Sequence, residues 1–89
     1  MTKTLTDYIE VVARVSDILS DAWDDDTPVE SIQRHGHIHT TFGPEREVNL
    51  VWCEDDGEIT AEVENDPSSA MYAVLGYLTY RGIQVAIGG

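Results

Sequence analysis

At 89 residues, 42% hydrophobic and 25% charged, the chain has room for one globular domain, residues 1–89, and is too apolar for a disordered one. Seventeen Asp and Glu stand against five Lys and Arg, a formal net charge of −12, which excludes direct nucleic-acid binding and attraction to anionic membranes and favours basic protein partners. No apolar run reaches the ~18 residues of a membrane helix, MTKTLTDYIEVV has no signal-peptide pattern, and the single cysteine, Cys53, has no mate for an internal disulfide, so a cytosolic protein is expected.

Thr4 to Trp23 reads as a helix. Leu5, Tyr8, Ile9, Val12, Val15, Leu19, Ala22 and Trp23 recur at helical spacing and predict a buried stripe, widened by Val11 and Ile18. Thr4 is the expected N-cap, with Asp7 three residues on in the capping-box position. Asp24, Asp25, Asp26 and Thr27 favour local turns, and Pro28 disfavours the α conformation before it, so the helix is expected to end there.

Three strands are expected next. The first lies within Ile32 to Phe42, the second is Glu47 to Cys53 and the third is Glu58 to Glu64. Gly43-Pro44-Glu45-Arg46 and Glu54-Asp55-Asp56-Gly57 are the turns. The third strand alternates cleanly, with Ile59, Ala61 and Val63 inward and Glu58, Thr60, Glu62 and Glu64 outward. Asn65-Asp66-Pro67 then opens a second helix over Ser68 to Arg81, apolar on most sides and stopped by Gly82. Ile83 to Ile87 is a final short strand. The fold class is α+β in the order α-β-β-β-α-β. An antiparallel sheet of three to four strands carries both helices on one face, and the last strand joins an edge or pairs with a second subunit.

All three histidines fall in His35-Gly36-His37-Ile38-His39. On one strand, residues two apart share a face, so His35, His37 and His39 are expected in a row opposite Ile38 and Phe42. Neighbours in that row sit ~6.5–7 Å apart, close enough for two imidazoles to share a zinc at ~2.0–2.1 Å per bond, with a third ligand from Cys53 or an outward Glu. Against this, a zinc enzyme needs an open coordination position and a water-excluding pocket, which a flat sheet face does not promise. The expected role is a polar, solvent-facing row, with a pH-responsive patch between the two, since imidazole titrates near ~6.5. No cofactor is expected. The chain has no glycine-framed nucleophile and no phosphate-binding loop, so enzymatic activity is not expected.

The acidic residues carry the functional reading. Asp7, Glu10, Asp17, Asp21 and Asp24 recur at spacings of three, four or seven, a line about 25 Å long on a helix. Like charges at i and i+4 weaken a helix by roughly 0.2–0.5 kcal/mol each. Duplex DNA carries one charge per ~1.7 Å, so Asp25, Asp26, Glu30 or the Glu58, Glu62, Glu64 row would be needed to thicken the stripe into an imitation of it. The expected function is a non-enzymatic binding protein whose acidic surface occludes a basic, nucleic-acid-binding surface of a partner. Its candidate contacts are Asp17, Asp21, Asp24, Asp25, Asp26, Asp55, Asp56 and Glu62. In size, charge and lack of catalytic motifs the chain resembles the small acidic anti-defence proteins of phages and mobile elements, including anti-CRISPR inhibitors, without sharing a motif with them.

Three alternatives stand beside this one. The element order and acidity also look like secretion-chaperone-type adaptors, with Met71, Leu75, Leu78 and the edge strand as a homodimer seam. Acidity for solvation alone would suit a halophilic domain. The terminal Gly88-Gly89 looks like the activated tail of ubiquitin-like and sulfur-carrier proteins.

Overall fold

Helix α1 (Leu5–Trp23) begins as the capping chemistry requires. Thr4 N–H donates to Asp7 Oδ2 at 2.9 Å, and Asp7 N–H returns the bond to Thr4 Oγ1 at 3.2 Å. The computed structural model describes residues 3–23, 29–43, 45–64 and 69–88. The expected turn through Asp24, Asp25, Asp26 and Pro28 and the expected cap at Asn65-Asp66-Pro67 lie outside the described residues.

Five strands follow in a single sheet: β1 (Val29–Arg34), β2 (His37–Phe42), β3 (Val48–Cys53), β4 (Glu58–Glu64) and, after α2 (Ser69–Tyr80), β5 (Gln84–Gly88). Their spatial order is their sequence order. β1 to β4 form an antiparallel meander, and β5 pairs parallel to β4 through the α2 crossover. The fold is therefore α+β with a mixed five-stranded sheet, where three to four antiparallel strands were expected.

The extra strand comes from one turn. The stretch Ile32 to Phe42, expected to hold one strand, folds back at His35-Gly36, so that Arg34 pairs with His37. Both turn residues have positive φ, 44° at His35 and 80° at Gly36, the pattern of a two-residue hairpin of the primed type I kind. Histidine is among the side chains that tolerate this region, and glycine enters it freely.

The core lies between the helices and one face of the sheet. Tyr8, Val11, Val15 and Leu19 of α1 and Ala70, Met71, Val74 and Leu78 of α2 close over Phe42, Val48, Leu50, Ile59, Ala61 and Val63. Burying each large aliphatic side chain contributes about 1.5–3 kcal/mol. The α1 stripe is rotated from the expected one: Val11 is fully buried, whereas Leu5 and Ile9 are 44% and 58% exposed. α2 ends in a Schellman cap. Ile83 N–H reaches Leu78 O and Gly82 N–H reaches Thr79 O, both at 3.0 Å, with Gly82 at φ 72°.

Candidate binding surfaces

The outward ridge of α1 divides into two halves. In the first, Arg81 reaches across from the end of α2, with Nη2 3.7 Å from Asp7 Oδ1 and 3.6 Å from Glu10 Oε2. Its other nitrogen donates to Tyr77 Oη at 3.0 Å, and the guanidinium lies 5.9 Å from that ring's centroid. Two of the five stripe carboxylates are thus drawn into the helix–helix contact. Asp7 is held below its ordinary value of 3.8, first by the Thr4 backbone and hydroxyl and then by the nearby Arg81.

The second half is free. Asp17 and Asp21 are exposed, one turn apart, and form no ion pair among the described residues. The last turn of α1 contains no basic residue, so Asp21 opposes the helix macrodipole as well as its like-charged neighbour. Asp24, Asp25 and Asp26, which continue the ridge in sequence, lie outside the described residues.

The remaining acidic candidates are elsewhere. Asp55 and Asp56 are exposed at the β3–β4 turn, where Asp56 Oδ1 accepts the Glu58 N–H at 3.2 Å. That turn lies beside the start of α1, because Lys3 N–H donates to Gly57 O. Asp17 and Asp21 lie towards the helix's other end. Glu62 sits on the sheet face opposite the helices, in register with Asn49 and Ala86. Asp17, Asp21, Asp55, Asp56 and Glu62 therefore occupy three separate surfaces.

That open sheet face also bears the histidines, but not as a row of three. His35 is in the turn, because the hairpin consumes it. His37 and His39 remain on the strand with stacked rings, centroids 6.1 Å apart. His37 pairs across the strands with Cys53, Nε2 to Sγ 3.8 Å. Among the described residues, no three His, Cys, Asp or Glu side chains converge as a metal site. Beside His39, the face sinks into a depression of about 320 Å³ bordered by Glu30, Ile32, Arg34, Thr41, Arg46 and Asn49. Two of the chain's few cationic side chains are gathered there, with Arg46 4.0 Å from Glu30.

Two apolar surfaces lie apart from these. Leu5, Ile9 and Val12 of α1 face Val29 and Ile38 across a groove of about 520 Å³, because β1 extends the sheet beyond the cover of α1. Tyr72 and Tyr80 of α2 are 64% and 85% exposed, whereas Met71 and Leu78, expected at a dimer seam, are buried within the chain. The sequence signal for the second surface is the loss of charge after Asp66. Gly88 belongs to β5, paired with Glu64, so the diglycine is not a free tail at that residue.

The chain matches no protein family, no curated protein and no solved structure in comparisons with each. Among the described residues, no helix is long and apolar enough to cross a membrane.

Proposed function

We propose that this is a small non-enzymatic binding protein that uses the C-terminal half of α1 to cover a basic, nucleic-acid-binding surface of a partner protein. The observation behind this reading is the pair Asp17 and Asp21, exposed, without an ion pair among the described residues, and one turn apart on a helix whose last turn has no basic residue. A local choice that opposes its own element is where a sequence serves something other than stability. Asp24, Asp25 and Asp26 extend the same charge along the chain and complete the docking segment. A partner's Arg and Lys supply the missing compensation, and steering by the net charge of −12 speeds the encounter.

The dispersal of Asp55, Asp56 and Glu62 favours a second reading for those residues, which is solvation of the acidic body in a salt-rich medium. On that reading they drop out of the docking set, and folding requires high salt.

The deciding experiment captures partners from a host lysate at low and high salt, with the wild type and with Asp17→Lys/Asp21→Lys. A nucleic-acid-binding protein retained at low salt, displaced by DNA and lost with the double variant supports docking through α1. Equal capture by wild type and variant removes it. A wild type that folds only in molar salt moves the assignment to solvation.

A further inference from the structure

From Pro67 to Gly89 the chain carries one charged residue, Arg81, and that residue is turned onto α1. Neither α2 nor β5 contains a charge. The side wall that they form is therefore the neutral side of a body with a net charge of −12.

This wall ends in an unguarded edge. Among the described residues β5 is hydrogen-bonded to β4 alone, and its sequence QVAIG has none of the charges or prolines that normally protect an edge strand. The opposite edge, β1, carries Glu30 and Arg34. On the helix-side face of β5, Ile87 is 61% exposed. Tyr77 and Arg81 of α2 turn towards α1, whereas Tyr72 of the same helix is 64% exposed. Gly76, one turn on from Tyr72, weakens a helix interior, yet a Cβ there would meet nothing within 4 Å.

We propose that β5 pairs antiparallel with β5 of a second copy of this chain about a two-fold axis, and that α2 packs against its counterpart on the same side of the joined sheet. A two-fold perpendicular to the sheet keeps both helix layers on one side, so helix-facing residues meet helix-facing residues. Centring the pair on Ala86 matches the five-residue strand along its whole length and sets Val85 opposite Ile87 of the second copy, twice. The two α2 helices then lie side by side on the same face of the joined sheet. Charge selects the occupant: the helix-side face of this wall carries no carboxylate, those nearest β5 being Glu62 and Glu64 beside Ala86 and Gly88 on the other face, so a basic partner finds little to hold it there and two acidic copies repel least.

Sedimentation of the full chain over a concentration series tests this, with Ile87→Lys and Tyr72→Glu beside the wild type. Both side chains are exposed in a single copy, so the variants keep its fold, which far-UV circular dichroism checks. The wild type is expected to dimerise, more tightly as salt screens the repulsion, and each variant raises the dissociation constant at least about tenfold. Ala86→Cys in a Cys53→Ser background is expected to cross-link the dimer, since paired Cα atoms lie about 4.5–5.5 Å apart. A chain that stays monomeric up to roughly 1 mM, including one that takes up a strand of another protein at this edge, overturns the proposal. So does a dimer that both substitutions leave intact.

Discussion

The Tyr8 hydroxyl lies 2.6 Å from Thr40 Oγ1, so a helix side chain is anchored directly to the middle of the sheet. Leu50 O and Ile38 O stand 3.1 and 3.3 Å from the same hydroxyl, and Thr40 is in turn 2.9 Å from Ser31 Oγ. Thr40 is fully buried, and this network is what satisfies it. Tyr8→Phe keeps the ring and removes the anchor, so urea denaturation should show a loss of about 1–2 kcal/mol.

The same residue sets an alkaline limit. Burial lifts Tyr8 above its ordinary value of 10.0, and the bond to Thr40 offsets only part of the lift. The folded state then holds its proton more tightly than the unfolded chain does. Stability from this group is complete below pH 10.0 and falls as the pH rises from there through the folded value. An alkaline denaturation series should show this fall in the wild type and a shallower one in Tyr8→Phe.

At the acid end the group is Asp7, whose carboxylate is held low by Thr4 and then by Arg81. Its contribution is present above pH 3.8 and is lost as the pH drops through the lower folded value. Asp7→Asn should flatten that part of the acid unfolding curve. Thr4→Ala, which removes the reciprocal cap, should lower stability by about 1 kcal/mol at neutral pH.

Reversing Asp21 should separate stability from binding. Asp21→Lys relieves the clash with Asp17 and places a cation at the helix C-terminus, raising stability by about 0.5 kcal/mol in low salt. Partner capture should fall with the same change. Thermal melts paired with capture assays check both directions, and a variant that is more stable and still binds fully contradicts the docking role.

Two glycines should respond oppositely to alanine. At Gly76, with open space and helical backbone, alanine should stabilise the single copy by roughly 0.5–1 kcal/mol in denaturant titrations at high dilution. At Gly36 the nearest atom, in Glu54, is an unstrained 3.9 Å away, but φ is 80°. Alanine there should destabilise by about 1–2 kcal/mol through the backbone alone.

The fold was legible wherever local chemistry and periodicity agreed. Glu58–Glu64 alternates as read, and the Thr4–Asp7 box and the Gly82 cap stand where their residue types place them. The His35-Gly36 turn was not legible, because histidine replaces the asparagine or aspartate that usually announces a two-residue hairpin, and alternation continues through it. That miss hid a strand and, with it, the groove beneath Val29. The acidic candidates were legible as exposed residues, but not as neighbours. Spacing along one helix gives the Asp17–Asp21 pair, whereas the relation of either to Glu62 depends on which face of the sheet the helices cover. The run after Asp66, uncharged but for Arg81, was visible in the sequence; its meaning depends on β5 being an edge.

The agreement between spatial and sequential strand order has a kinetic consequence. Each of the first three strand pairs closes across a short turn, so the meander assembles from local contacts. β5 joins only after the chain has traversed α2, and it gains one neighbour rather than two. In the single copy, at high dilution, amide hydrogens in β3 should therefore exchange most slowly, at the rate of global opening, while those of β5 are released by a smaller, earlier opening of the α2–β5 unit.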